Sequence, residues 1–449
     1  MSVCTRHFIW LLALAALPGL PQTPLSLKDA VRIALDKHPS LEAAAAQTQV
    51  AASRIQQARS GYLPRVNYTE SFQTSNNPVF VFGTLLTQRR FSQSNFALDS
   101  LNRPDFLNNF QSQVSVDQVI YDFGATRNQV RSAELGQQMS AEQERLARMN
   151  RIAQVARTYH GVLLATESLQ VARQGVTSAE ADLERAKAIR QAGMSTDADV
   201  LSIQVHLAQT REQEIGRGYD LQVTRAALNE ALGLPLDTQH QLSASLAELA
   251  PGQAGREQLE KLAIAERPES RQTELASRLA DAQSKAARAA LYPQIVARAA
   301  FETDRGNFVT QAGANWFFSG GLRWNLFNGN ADKARIAEAS YAAAASRAGR
   351  REVENAVQLQ VRQAHASLLS ARERIQVAAA AVAQAEESLR ITKNRYENGL
   401  NTVTDLLRNE TALLEASTRK LAAIHDQRMA ATMLDLAAGI LTGDSDVLQ

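Results

Sequence analysis

The chain has one cysteine, Cys4, in 449 residues. Cys4 precedes the apolar run from Phe8 to Leu17, so it is not placed like the lipidated cysteine that follows such a run. Removal of the N-terminal segment leaves no thiol at all. A disulfide framework and thiolate metal sites are therefore excluded. An excess of one charge is also missing. Forty-eight Lys and Arg stand against 46 Asp and Glu, a net charge of +2, so nothing draws the chain to nucleic acid. Proline is scarce, 11 in all, and none falls between Thr126 and Arg190. No stretch after residue 25 is apolar for the ~20 residues that a membrane-spanning helix needs. The histidines at 7, 38, 160, 206, 240, 365 and 425 are scattered, with no pair at ligand spacing, which suits surface or packing roles. No Gly-rich phosphate loop, nucleophile elbow or paired-carboxylate motif occurs. No catalytic residue, cofactor or metal site is expected, and an enzyme finds no support.

What is present is a long repeat. Gly193 and Gly399 are 206 residues apart, and so are Tyr121 and Phe327, Asp199 and Asp405, and Gly233 and Gly439. Pro64 and Pro293 are 229 apart, so 23 extra residues belong between Pro64 and Tyr121. A period this long means two structural halves rather than a solenoid. Length alone suggests about three domains; the repeat argues for one elongated unit. With 45% hydrophobic and 21% charged residues, the composition is that of a folded chain. The organisation expected is a signal peptide at 1–22, a first repeat at 26–233, a linker at 234–255, a second repeat at 256–439 and a tail at 440–449. The signal peptide reading rests on Arg6 and His7 before a short apolar run broken by Pro18 and Gly19.

Each half opens on short helices. Ser26 with Asp29 forms a helix-start signature, and Pro39 and Pro268 break the helices at matching places. Four stretches then alternate with period 2, the strand signal. They lie at about 65–73, 110–121, 294–303 and 314–327. Val66, Tyr68 and Phe72 alternate with Asn67, Thr69 and Ser71. Trp316, Phe318, Leu322, Trp324 and Leu326 alternate with Asn315, Ser319, Arg323 and Asn325. Runs of about 9–12 residues have the length of tilted membrane strands, and the two tryptophans suit a lipid boundary. The segment from Thr74 to Asn109 reads as a long extracellular loop and takes up the extra residues.

The remaining segments, at about 125–191, 197–232, 330–398 and 402–438, read as long helices. Ile152, Val155, Tyr159 and Val162 follow 3-4-3 spacing, and Leu407, Leu414 and Leu421 are seven apart, which are coiled-coil-like seams. Each hairpin turns at a Gly, Gly193 or Gly399, and restarts at a Thr-x-x-Asp, Thr196 to Asp199 or Thr402 to Asp405. Four strands cannot close a barrel, and open edges are not tolerated in lipid, so several chains are expected to complete one. The fold class is mainly α with membrane β: long antiparallel helical hairpins joined to a sheet that other copies complete.

The tandem repeat, Leu63-Pro64 and Tyr292-Pro293, the passages Ile120 to Gly124 and Leu326 to Gly329, and the two tips together resemble the TolC-like outer-membrane efflux family. Pro78 to Gly83 and Pro104 to Phe106 look like a subset of it. The resemblance implies a homotrimer with a twelve-stranded barrel in outer-membrane lipid and a helical tunnel in the periplasm. It implies a passive exit duct for a tripartite efflux pump or a type I secretion system, working with a periplasmic adaptor and an inner-membrane transporter. Asp405 and Asp199 would then be gate acids, and Tyr396, Asn401 and Arg408 their neighbours. Where the family often has a second acid this chain has Arg408, and where it often has a basic tip residue this chain has Asn401. Gly193, Met194, Ser195, Gly399, Leu400 and Thr402 would meet the adaptor. The alternative reading of Asp199 and Asp405 is as helix-cap acids, and the alternative reading of the chain is a periplasmic or cytosolic coiled-coil scaffold with no pore, which would need neither the four strands nor the signal peptide.

Overall fold

The computed structural model describes residues 24–250, 255–309 and 312–449. The expected signal peptide, with Cys4, lies outside the described residues. The first half runs α1 (Leu27–Lys37), α2 (Pro39–Arg59), β1 (Arg65–Ser75), α3 (Pro78–Thr87), α4 (Leu98–Asn102), β2 (Leu107–Tyr121), α5 (Ala125–Gln191) and α6 (Asp197–Leu232). The second runs α7 (Arg256–Glu266), α8 (Pro268–Ala289), β3 (Gln294–Arg305), β4 (Gly313–Arg323), α9 (Ala331–Glu397) and α10 (Val403–Ala438). All four ends of α5 and α6 recur in α9 and α10 with the same displacement of 206 residues.

Pro39 and Pro268 do more than break helices: each occupies the first turn of the next one, α2 or α8. Proline lacks an N–H and has a helical φ, so it starts a helix at no hydrogen-bond cost. α5 and α9 have 67 residues each, which is about 100 Å of helix. Each is flanked along one part by its hairpin partner, α6 or α10, and along the other by α2 or α8. Helices this long are held by neighbours rather than by propensity. The seams do this work: Ile152, Val155, Tyr159 and Val162 all enter one core with α1, α6 and α10. The Tyr159 hydroxyl donates to the Leu25 carbonyl at 2.9 Å. The tail is part of that core, with Leu441 and Leu448 buried.

The hairpins end against the proline junctions. Gly233 and Gly439 cap α6 and α10 at φ +72° and +77°. A Cβ on Gly233 would meet the His38 backbone at 3.0 Å, and one on Gly439 the Arg267 backbone at 2.8 Å. The repeat seen in the sequence is thus a repeat of contacts.

β1 to β4 form one antiparallel sheet in sequence order. Register places Tyr68 beside Val114, Val114 beside Phe301 and Phe301 beside Trp316, a row of apolar side chains across one face. The other face is polar: Gln111 and Gln113 each donate to Glu302 at 3.3 Å, and Arg298 pairs with Asp117 at 3.6 Å.

Two expectations need correction. The segment from Thr74 to Asn109 is not a plain loop, because it holds α3, α4 and a 3₁₀ turn at Gln93–Phe96. Asn77 caps α3 by accepting from the amides of Val79 and Phe80 at 3.0 and 3.2 Å, and Pro78 follows it. That is a helix start, hidden in the sequence by the β-forming run Val79-Phe80-Val81-Phe82. Second, β4 stops at Arg323. Trp324 lies past its end, where the indole N–H donates to the Leu291 carbonyl at 3.1 Å.

Candidate functional site

The site has two ends: the polar face of the sheet and the hairpin tips. At each tip the chain reverses through a glycine at positive φ, +78° at Gly193 and +72° at Gly399. The amide of Met194 reaches the Ile189 carbonyl at 3.1 Å, and that of Leu400 the Arg395 carbonyl at 2.8 Å. This double reversal closes α5 and α9. The tips present Met194 and Leu400 to solvent, 74% and 67% exposed.

Thr196 and Thr402 start the return helices. Each hydroxyl accepts from the amide of the acid three residues on, at 3.2 Å, and each acid takes back its threonine's amide. Asp199 also accepts from the Ser195 hydroxyl at 3.0 Å. The backbone and hydroxyl of Thr196 hold the Asp199 carboxyl below the usual range, and the Thr402 hydroxyl and backbone do the same for Asp405, with Arg408 adding to it. Both acids are therefore ionised cap residues in the single chain. Asn401 is half-buried beside the turn and Arg408 is exposed one turn on.

Tyr396 is buried where the two hairpins meet. Val176, Ala179, Leu183 and Ala186 of α5, Val200, Ile203 and Leu207 of α6, and Val403 and Leu406 of α10 form one core with it. Burial raises the Tyr396 phenol, and the Asp199 charge raises it further. One core thus joins both tips.

The sequence reading missed a cluster just behind that core. Asp182, 0% exposed, lies on α5 and accepts from Arg185 Nη1 at 2.7 Å and from Lys393 Nζ of α9 at 2.8 Å. Glu410 of α10 accepts from the Ser178 hydroxyl at 2.9 Å and faces His206 Nε2 of α6 at 3.3 Å. All four long helices contribute. Burial lifts the Asp182 carboxyl, and the neighbouring Glu410 lifts it further. Burial alone would raise Glu410 too, but His206, Asp182 and Ser178 together outweigh it and keep Glu410 ionised. Of the two, Asp182 is the one that takes up a proton first as pH falls. The sequence signal was faint: Asp182 sits among the apolar positions 176, 179, 183 and 186 of a seam.

A sheet with one apolar and one polar face, set on helices about 100 Å long, defines the class: a membrane β-domain continued by a helical duct. The sequence profile of the outer membrane efflux protein family matches residues 30–234 and 259–440. The chain belongs to that family. Its place is the outer membrane, with the helices in the periplasm. Outer membrane protein TolC of Salmonella enteritidis is 22% identical over 210 residues, 47% of this chain and 40% of that protein. Pyoverdine export outer membrane protein OpmQ of Pseudomonas putida is 26% identical over 289 residues, 63% of this chain and 57% of that protein. The matched region spans about half the length of these relatives. The Campylobacter jejuni CmeC outer membrane channel shares the fold at a TM-score of 0.80 and 16% identity, over 97% of this chain and 92% of that one.

Proposed function

We propose that three copies close one twelve-stranded barrel and that the assembly is the passive exit duct of a tripartite efflux pump or a type I secretion system. The observation that carries this is the four-stranded sheet, whose edge strands β1 and β4 are each paired on one side only among the described residues. Unpaired edges beside a lipid-facing surface demand partner strands. Three copies give a bore wide enough for a channel, whereas two would be filled by side chains. A pore-free scaffold has no use for the apolar row at Tyr68, Val114, Phe301 and Trp316.

The tips are the docking end. The paired exposed residues Met194 and Leu400, beside Gly193, Ser195, Gly399 and Thr402, offer two matching contacts to a periplasmic adaptor, which links the duct to an inner-membrane transporter. Gly399→Val meets no neighbour within 4 Å, so its cost is the backbone strain alone, about 1–2 kcal/mol. Export by cells carrying it is expected to fall more than the amount of trimer on an unboiled gel. Normal export would remove the tip from the contact.

Asp405, one turn past Gly399, is the gate acid of this reading, with Asp199 its counterpart on the first hairpin. Three carboxylates around a narrow axis attract cations, and Arg408 blunts their field. Asp405→Ala is expected to lower cation selectivity in planar bilayers and to weaken block by trivalent cations, with trimer yield little changed. Lower thermal stability with selectivity and block unchanged would leave Asp405 as a cap only.

A further inference from the structure

α3 lies against the end of the sheet, on its polar face. Gln88, which follows it, is 3% exposed and donates to the Asn108 carbonyl and to Asn109 Oδ1, both at 2.9 Å. Asn109 in turn donates to Asp304, 2% exposed, at 2.7 Å. Asn109 and Asp304 lie on the polar face, in line with Gln111, Gln113 and Glu302 along their strands. Arg89 Nη2 donates to the Ala314 carbonyl at 3.0 Å. A Cβ on Gly313 would collide with the Thr87 carbonyl, so this seat admits only glycine. The ten residues of α3 make ~15 Å of helix, and the four strands span ~14 Å. The helix is therefore about as long as this chain's share of the wall is wide, and it packs on β3 and β4.

Val81 and Thr84 of α3 are buried, while Val79 and Leu86 are exposed and Phe82 between them at helical spacing, its ring edge-on to Phe91, keeps 39% of its surface exposed. We infer that three copies of α3 meet around the barrel axis through Val79, Phe82 and Leu86 and close the extracellular mouth as an apolar gate. The inference rests on the trimeric duct proposed above. Twelve strands about 4.8 Å apart and tilted by ~40° enclose a bore ~24 Å across. A helix with its side chains takes ~10 Å of radius from each side, which leaves an opening of a few ångströms. An apolar constriction of that size excludes water and ions without full steric closure. The occupant of each exposed face is thus another copy of the same helix. The gate stands at the opposite end of the duct from Asp405.

The test uses full-length trimers purified from outer membranes. Phe82→Ser with Leu86→Ser is expected to raise single-channel conductance at least about twofold. Separately, Phe82→Cys in a Cys4→Ser background should be joined between copies by a short bismaleimide. Unchanged conductance in the double variant overturns the gate, whether or not cross-links form. Absence of cross-links in intact trimers overturns the meeting of the helices at the axis. If the unmodified chain gives no trimer on an unboiled gel, the duct reading itself fails, and that result needs no variant.

Discussion

Lys393→Met is expected to loosen the tip of the duct. It removes one of the two cations on Asp182 and leaves a buried carboxylate with Arg185 alone. Breaking a buried pair by removing one partner costs about 3–5 kcal/mol, and the remaining Arg185 places this case near the lower end. Because a large assembly does not unfold in two states, the readout is amide hydrogen exchange in segments 176–207 and 389–410. An opening free energy lower by ~3 kcal/mol means exchange ~100-fold faster there, with the sheet unaffected. Lys393→Arg should restore protection.

The effect depends on pH, with a defined sign. The Asp182 carboxyl stands above its unfolded value of 3.8. Burying such an acid carries no charge penalty below the unfolded value, and the penalty is complete once pH has passed the raised one. Lys393 offsets a charge that exists only at the upper end. The difference between Lys393→Met and the unmodified chain should therefore be largest at pH 7–8 and shrink towards pH 4, about the ordinary value of an aspartate. Equal protection loss at both ends would mean that Lys393 acts by packing and not by pairing.

Gly439→Val is the second large effect. Gly399 and Gly439 share nearly the same φ, +72° and +77°. Their surroundings differ: Gly399 faces open space, while a Cβ on Gly439 would lie 2.8 Å from Arg267 Cα and 2.9 Å from its nitrogen. To the ~1–2 kcal/mol of strain Gly439→Val adds overpacking against rigid backbone, about 1–3 kcal/mol more. Trimer yield is expected to fall severalfold for Gly439→Val and little for Gly399→Val, measured side by side on unboiled gels. Gly233→Val should behave like Gly439→Val, since its Cβ would meet His38 and Lys37 at 3.0–3.1 Å. Equal yields for the two tip and junction variants would refute the contact argument.

The punctuation of the hairpins was legible because it is local. Gly193 with Thr196 and Asp199, and Gly399 with Thr402 and Asp405, spell out turn and cap in a few residues, and the structure uses each as written. The strands were legible because one face is apolar and the other polar over a dozen residues. What escaped was made by distance. Asp182, Lys393 and Glu410 look like ordinary charges on solvated helices, and only the packing of α5 against α10, with Lys393 reaching across from α9, brings them together. α3 escaped for another reason: Val79 to Phe82 has the composition of a strand, and Asn77 and Gln88 override it from either side. Trp324 continued the alternation of β4 in sequence, yet the strand had already ended at Arg323. The family resemblance pointed to Asp405 and Tyr396; the single chain shows one as a cap and the other as core.

The central claim is that copies of this chain complete a pore. The most direct measurement takes the protein from an outer-membrane fraction in mild detergent, determines its oligomeric mass, and records the same sample in planar bilayers. A heat-modifiable trimer is expected, with discrete conductance steps that rise in Lys393→Met. A monomer without conductance, or a water-soluble oligomer that never enters the bilayer, would contradict the claim.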